Sequence, residues 1–195
     1  MRRTLLPVCL LAAAVAVCGS ERHDPDVIVF IHGMGESPGV MATAEGLATR
    51  MLASAGVSVS WRRGSPNYDG PAEVIEALLT NQPDENVKPG ALAWATLGLN
   101  SGTRIEVYCN RARAGMREGS PPVLAHVLVH EITHILEGVD RHSQTGIMKA
   151  HWDVDDWRRL RCKPLPFDEE DLRLLEAWTG RHKLASYRTL LTGVK

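Results

Sequence analysis

The chain has 195 residues, and 44% of them are hydrophobic, which is enough for the core of one globular domain. Its 22 Lys and Arg residues nearly balance its 23 Asp and Glu residues, so the formal net charge is −1. This weak charge argues against a nucleic-acid-binding protein and against attachment to an anionic membrane surface.

Residues 1–20 have the layout of a secretory signal peptide. Arg2 and Arg3 precede an apolar run over residues 5–17, which small residues follow. The run is too short to span a bilayer, so we expect cleavage near its end and a secreted or periplasmic protein without a membrane span. Cys18 is a weak match to a lipid-attachment site, because the valine before it fits such a site poorly.

Removal of this segment leaves a predicted domain at residues 21–180 and a C-terminal tail at residues 181–195, and we expect a monomer. Two cysteines remain, Cys109 and Cys162. In an oxidising compartment they could form one disulfide, and two buried free thiols are the alternative.

The first part of the domain predicts a βαβ unit. Residues 27–31 (VIVFI) form a continuous apolar run that is typical of a buried strand. Residues 38–55 contain good helix formers, and residues 57–61 alternate with the period of a strand. A strand, a helix and a strand within about 35 residues favour a right-handed crossover, so the sheet should be at least partly parallel.

The segment between the first strand and this helix, residues 32–39 (HGMGESPG), resembles two serine-hydrolase motifs. One is an HG-x-G oxyanion loop, and the other is a G-x-S-x-G elbow around Ser37. The two motifs overlap here, whereas in that fold they lie on separate loops. The elbow also uses the backbone N–H of the residue after the serine, and Pro38 has none. We therefore interpret the segment as a turn from strand to helix.

Two later segments precede the main motif of the chain. Residues 73–79 (EVIEALL) fit a helix or a strand, and propensity favours the helix. Residues 103–109 (TRIEVYC) alternate and predict a strand with its apolar side chains on one side. Residues 111–119 are basic and contain glycine, which indicates a solvated surface loop.

The segment His130-Glu131-Ile-Thr-His134 lies in an apolar stretch that predicts a helix, opened by Ser120 as N-cap and Pro121 at its first position. A helix turns about 100° per residue, so the two histidines lie about 40° apart on one face and can reach one metal ion. Glu131 lies beside the pair, where its carboxylate can accept a proton from metal-bound water. Two satisfied core histidines are the alternative interpretation.

A third ligand requires the helix to stop and the chain to return. Gly138 can end the helix in the left-handed conformation, and His142 follows four residues later. Three histidines and one open position are typical of a catalytic zinc site rather than a structural one.

Other histidines compete with this set. His126 and His134 lie about 12 Å apart along a helix axis, whereas two nitrogens on a tetrahedral zinc ion are about 3.3–3.4 Å apart. His126 is therefore expected to be a packing residue. His151 could replace His142 as the third ligand, and so, with less support, could one of three acidic residues: Glu137, Asp140 or Asp153.

A second helix start follows near residue 168. Asp168 fits an N-cap, and the acidic residues after it suit the positive end of the helix dipole. Leu172, Leu175 and Trp178 are expected to pack this helix beneath the site, and Gly180 is expected to end it.

The pattern of HExxH, glycine, third histidine and a later methionine turn resembles the metzincin clan of zinc endopeptidases, and most closely small secreted bacterial proteins of matrixin-like type. The glycine and third histidine lie four and eight residues after the second histidine, whereas the common spacing is three and six, so the loop is two residues longer. Thr133 also replaces the usual glycine inside HExxH. The resemblance rests on His130, Glu131, His134, Gly138, His142, Ser143, Gly146, Ile147, Met148, Ala150 and Trp152.

The resemblance implies a metzincin-like α/β (α+β) fold. Such a fold has a twisted, mixed but mostly parallel sheet of about five strands, an active-site helix, a C-terminal helix and a Met-turn, here at Met148, that supports the histidines. It favours a strand at residues 73–79. It also implies a short antiparallel edge strand at residues 91–96 that pairs with an extended substrate.

The function that the resemblance implies is that of a secreted zinc metallopeptidase. Zn2+ would be held by His130, His134 and His142, Glu131 would be the general base, and the substrate would be a peptide or protein bound near residues 149–166. A non-catalytic secreted metal-binding or interaction protein on the same scaffold is one alternative. A zinc amidase that acts on a non-peptide substrate is another.

Overall fold

A computed structural model describes the chain at residues 24–33, 35–82, 87–96, 103–114 and 121–192. In these residues a five-stranded, mostly parallel sheet combines with five helices, which confirms the predicted mixed α/β class. None of the helices in these ranges is long and apolar enough to cross a membrane. The predicted signal peptide, Cys18 and Ser120 lie outside the described residues.

Five strands form one sheet: β1 (Val27–Gly33), β2 (Val59–Arg63), β3 (Glu73–Thr80), β4 (Ala93–Thr96) and β5 (Thr103–Tyr108). They lie in the order β2-β1-β3-β5-β4. β1 pairs in parallel with β2 and β3, and β3 pairs in parallel with β5, whereas β4 is antiparallel to β5 at the edge of the sheet. The βαβ unit and the short edge strand are thereby confirmed, and β3 is a strand rather than a helix.

The helices of the described residues are α1 (Pro38–Ser54), α2 (Cys109–Ala114), α3 (Pro121–Glu137), α4 (Val154–Arg159) and α5 (Glu169–Thr192). α1 begins after Ser37, whose side-chain oxygen accepts a hydrogen bond from the backbone N–H of Val40 at 3.4 Å. Ser37 is therefore a helix cap. This confirms the predicted turn from strand to helix.

The main core lies between one face of the sheet and the helices α1 and α3. Alternate residues of β1, such as Val27 and Val29, are buried in the same cluster as Leu52 of α1 and Leu128 of α3. The residues of β1 that face the other way belong to a smaller cluster, which the segment around Tyr68 partly covers. β1 is buried on both faces because the main core covers one face and the smaller cluster covers the other, and this explains its continuous apolar sequence.

Two predictions about helix extent are wrong. A loop is predicted from residue 111, but Cys109–Ala114 form α2, whose sequence CNRARA is rich in the helix formers Ala and Arg. Gly180 does not end α5, which continues to Thr192. One glycine inside a helix costs only about 1 kcal/mol relative to alanine, and the helix formers around it outweigh that cost.

The predicted start of α5 is confirmed, but its predicted packing is confirmed only in part. The side chain of Asp168 accepts hydrogen bonds from the backbone N–H groups of Glu170 and Asp171, each at 3.0 Å, which confirms Asp168 as the cap. Leu175 is fully buried and Trp178 is half-buried, but Leu172 is exposed. The helix therefore packs through a narrower apolar stripe than predicted.

Cys109 and Cys162 are free thiols, so of the two alternatives that the sequence leaves open, the disulfide is not formed. Cys109 is buried beneath Gly35, where an added Cβ would lie 2.3 Å from the cysteine sulfur. Burial raises the pKa of the Cys109 thiol to about 11, which keeps it protonated and unreactive. Cys162 is exposed, so the alternative of two buried thiols holds for Cys109 alone.

Candidate metal centre

Helix α3 places two histidines on one side of a cleft. It starts at Pro121 as predicted, and its apolar residues from Val123 to Leu136 are buried in the core. His130 and His134, which lie one turn apart, are only half-buried. Their Nε2 atoms are 3.0 Å apart, and their ring centroids are 4.7 Å apart. The predicted pairing of these rings on one helix face is confirmed.

The third histidine joins this pair after a sharp end of the helix. Gly138 has φ +69°, and its N–H donates to the carbonyl oxygen of His134 at 3.0 Å, as expected of a glycine that follows a helix in the left-handed conformation. The centroid of the His142 ring lies 4.9 Å from that of His134 and 5.4 Å from that of His130. One ligand atom from each histidine lies within 4.8 Å of the other two, so the cluster could hold a metal ion.

In the part of the chain that the structure describes, no other three such side chains come together in this way. His151 is exposed and lines the same cleft, but it is not a member of the cluster. The acidic alternatives, Glu137, Asp140 and Asp153, are also outside it.

His126 is a packing residue, as predicted. Its Nδ1 lies 2.6 Å from the carbonyl oxygen of Pro122, and its Nε2 accepts a hydrogen bond from the backbone N–H of Leu165 at 3.0 Å. Both ring nitrogens are therefore engaged, and the ring ties α3 to the segment that precedes α5.

The backbone fixes which nitrogen of His130 is free to bind a metal. Its Nδ1 lies 2.9 Å from the carbonyl oxygen of Ile147. A carbonyl oxygen can only accept, so Nδ1 carries the proton and Nε2 presents its lone pair to the cluster. The same carbonyl accepts a hydrogen bond from the indole N–H of Trp152 at 3.2 Å. The orientation of the His130 ring is thereby set by the turn around Ile147.

The electrostatic surroundings keep the histidines neutral. Burial lowers the pKa of His130 to about 4. It also lowers the pKa values of His134 and His142, and the nearby His142 ring lowers the pKa of His134 further because two charged imidazoles would repel each other. Neutral imidazole is the form that binds metal ions. The cluster is therefore ready to bind a cation near neutral pH.

Glu131 is buried beside the cluster and lines the cleft. Burial raises the pKa of its carboxyl group to about 7. A carboxyl group with such a pKa can both accept and return a proton near neutral pH. Its position and its pKa fit an acid–base role.

The segment Gly146-Ile147-Met148 forms a tight turn next to the cluster. Gly146 has φ +75°, and an added Cβ would lie 2.1 Å from the carbonyl oxygen of Pro166, so no larger residue fits there. The backbone N–H of Ile147 donates to that oxygen at 2.9 Å, and Met148 is fully buried. The turn is thus held in place by the segment before α5.

The three histidines open onto a cleft of about 970 Å³. One wall consists of the residues that lead into β4 and of β4 itself, including the exposed Trp94. The cleft is also lined by α3 and residues 149–152, together with Trp157 of α4. The edge strand β4 and the three histidines therefore line the same cleft.

Sequence reasoning missed a buried ionic network behind His142. The guanidinium of Arg141 contacts the carboxylate of Asp171 at 2.5 Å and lies 3.5 Å from that of Glu137. Both carboxyl side chains are fully buried, and burial raises the pKa of Glu137 to about 7. The i, i+4 spacing of Glu137 and Arg141 was a visible signal for one contact. No local pattern points to Asp171, thirty residues away.

The described residues thus define a three-histidine cluster beside a buried carboxyl group in an open cleft. No protein-family model matches the chain, and no curated protein matches it in sequence. The function is therefore argued from the chemistry of these residues.

Proposed function

We propose that the protein is a secreted zinc-dependent endopeptidase of the metzincin type. The observation that carries this proposal is the meeting of His130, His134 and His142 beside Glu131 in a cleft that follows an edge strand. Export is part of the proposal and rests on the signal-like sequence of residues 1–20.

The donor set fits zinc. Zinc binds neutral imidazole nitrogens at about 2.0–2.1 Å in tetrahedral geometry, which places two nitrogens about 3.3–3.4 Å apart. The 3.0 Å between the Nε2 atoms of His130 and His134 is close to this value. Three protein ligands leave a fourth position for water or substrate. When bound, zinc lowers the pKa of a coordinated water to about 7 and polarises a carbonyl group.

Glu131 supplies the proton transfers of the proposed reaction. Its carboxylate takes a proton from the attacking water, whose oxygen forms a bond to the carbon of the scissile carbonyl. The carboxyl group then gives the proton to the leaving nitrogen as the C–N bond breaks, so the products are a carboxylic acid and an amine. In neutral water the acid loses its remaining proton and the amine gains one. A protein that only stores or carries a metal has no need of a buried carboxyl group at this position.

The position of β4 favours a peptide over another amide. An edge strand offers unpaired backbone N–H and C=O groups, and an extended peptide can pair with them. β4 is the last strand of the sheet and lines the cleft. A bound peptide would lie antiparallel or parallel to it and pass the three histidines.

The decisive experiment compares the purified wild-type protein with Glu131→Gln on a mixed peptide library read by mass spectrometry. We expect the wild type to bind one zinc ion and cleave peptides, and to lose activity with a chelator. Glu131→Gln should retain the metal while its rate falls by about 10²–10⁴-fold, the usual contribution of a general base.

Two results would contradict the proposal. A wild-type rate in Glu131→Gln would show that this residue is not the base. A metal-loaded wild type that cleaves no peptide would favour the metal-binding protein, or the amidase if it hydrolyses a non-peptide amide.

A further inference from the structure

We propose that Asp171, in the first turn of α5, is a positioning residue for the metal centre. It acts through Arg141 and Ser143, the two neighbours of His142, and so determines where the third histidine meets the other two. This inference rests on the proposed metal site and extends it to a residue that lies outside the motif.

His142 depends on its neighbours because, among the described residues, the contacts of its ring are those with the rings of His130 and His134. The two helix histidines are placed by α3, and the carbonyl oxygen of Ile147 orients the ring of His130. His142 instead lies in the segment between α3 and α4, where residues 138–153 form neither helix nor strand. Its ring is exposed and makes no hydrogen bond to any other residue that the structure describes. Its place in the cluster is therefore set by the backbone on either side.

Both neighbours are fastened to the same oxygen atom of Asp171. Nη2 of Arg141 lies 2.5 Å from Oδ1 of Asp171, and the hydroxyl of Ser143 donates to the same Oδ1 at 2.6 Å. Nη1 of Arg141 also donates to the Ser143 hydroxyl at 3.0 Å, which closes a three-membered network. The side chains on both sides of His142 thus contact one buried carboxylate.

The carboxylate of Asp171 is itself held rigidly. Its side chain is fully buried, and its Oδ2 accepts a hydrogen bond from the backbone N–H of Asp168 at 3.0 Å. This contact is part of the reciprocal cap of α5, in which Asp168 accepts from the N–H of Asp171. The network therefore connects the loop to a helix rather than to another loop.

The length of this loop explains why an anchor is needed. It is two residues longer than the common metzincin spacing, so it has more conformational freedom to lose when three ligands converge. Arg141 lies between Asp171 and the carboxyl group of Glu137, the last residue of α3. Contacts at both ends of the loop reduce its freedom before a metal ion binds, and a preorganised site binds more tightly.

The test measures metal binding rather than peptide cleavage. Asp171→Asn keeps the size of the side chain but removes the charge that holds Arg141. We expect about 10–100-fold weaker zinc affinity, measured by competition with a chromophoric chelator, and an altered visible absorption spectrum of the Co2+-substituted protein. Glu170→Gln is the matched control, because Glu170 is the adjacent acid and pairs only with Arg173 on the surface. Its affinity and Co2+ spectrum should equal those of the wild type.

A variant without the third histidine separates positioning from general stabilisation. In a His142→Ala background, Asp171→Asn should cause no further loss of zinc affinity, because its effect passes through His142. The proposal is overturned if Asp171→Asn weakens zinc affinity by the same factor in the His142→Ala background as in the wild type. If Asp171→Asn does not fold, Ser143→Ala decides, and an unchanged Co2+ spectrum in this variant would overturn the proposal.

The two proposals fail in different ways. If the wild-type protein binds neither zinc nor Co2+, the metal centre itself is wrong. If the wild type binds zinc tightly and Asp171→Asn binds it equally well with the same Co2+ spectrum, the metal centre stands and only the positioning role is wrong.

Discussion

At the scale of single residues, the backbone carbonyl of Ile147 and the ring of His126 show how groups outside the histidine cluster support it. The carbonyl oxygen of Ile147 requires Nδ1 of His130 to carry the proton. The ring of His126 joins α3 to Leu165 by accepting a hydrogen bond from its backbone N–H. The segment that contains Leu165 continues to Pro166, whose oxygen holds Ile147. His126 is thus connected through backbone contacts to the turn that orients His130.

Burial of His126 predicts a loss of stability in mild acid. Burial lowers the pKa of His126 in the folded protein below its usual value of about 6.5. As the pH falls, His126 therefore becomes protonated in the unfolded chain before it does so in the folded protein. The contribution of the neutral His126 ring to the free energy of unfolding is fully present above about pH 6.5 and decreases below it. The free energy of unfolding of the metal-free protein, measured by urea denaturation between pH 7.5 and 5.5, should fall less steeply for His126→Gln than for the wild type.

Other groups titrate in the same range, so the comparison between variants is essential. His130 acts in the same direction as His126, because its pKa is also lowered. Glu131 and Glu137 act in the opposite direction, because their raised pKa values of about 7 favour the folded state as the pH falls. Equal slopes for the wild type and His126→Gln would contradict the prediction.

How much of the site could be predicted depends on how locally it is encoded. His130, Glu131 and His134 share one helical turn, so their spacing alone predicts that they meet. The preference for His142 over His151 rests on the position of His142 in the motif. The backbone carbonyl of Ile147 leaves no pattern in the sequence. Asp171 is visible there only as one of the acidic residues at the start of another helix. Contacts that join separate elements are visible only in the folded chain.

At the scale of elements, the pairing of β4 with β5 determines which backbone N–H and C=O groups of β4 remain free for a substrate. Tyr108 N–H donates to the carbonyl oxygen of Leu92 at 2.9 Å. In an antiparallel pair the bonded positions alternate, so residues 92, 94 and 96 face β5. The backbone groups of Ala93 and Ala95 therefore point outward to the cleft.

Ala95→Pro tests whether a peptide pairs with this edge. Proline removes the outward N–H of Ala95 and leaves the bonds to β5 intact, since edge positions of this kind tolerate it. We expect kcat/KM for peptide cleavage to fall by roughly two- to tenfold, the value of one hydrogen bond, with unchanged zinc content. An unchanged kcat/KM in a folded variant would show that substrates do not pair with β4.

Pairing also explains which elements the sequence predicts and which it does not. β1 follows from its continuous apolar run, α1 from its helix formers, and β2 and β5 from their alternation. β3 contradicts its helix propensity because it lies between β1 and β5 and makes backbone hydrogen bonds to both. The extension of α5 past Gly180 is not visible, because a lone glycine is weak evidence for a helix end.

At the scale of the whole molecule, metal binding should be coupled to folding. The three histidines come from α3 and from the loop whose Arg141 and Ser143 contact Asp171 of α5, so the cluster exists only in the folded chain. A ligand that binds only the folded state raises the free energy of unfolding by RT ln(1 + [L]/Kd).

Thermal denaturation with and without zinc tests this coupling. At a free zinc concentration of about 100 Kd the gain is about 2.7 kcal/mol, so Tm should rise, and a chelator should reverse the rise. The double variant His130→Ala/His134→Ala should show no zinc-dependent change in Tm. A similar rise in that variant would place the metal elsewhere.

The length of α5 has a practical consequence for handling the protein. The helix is continuous over 24 residues, and its first turn contacts the loop that bears the third imidazole. Its last turn is about 30 Å further along the axis. A fluorescent dye, an affinity tag or a surface tether joined at that far end therefore leaves the histidine cluster undisturbed, so the immobilised or labelled protein should serve for the metal titrations.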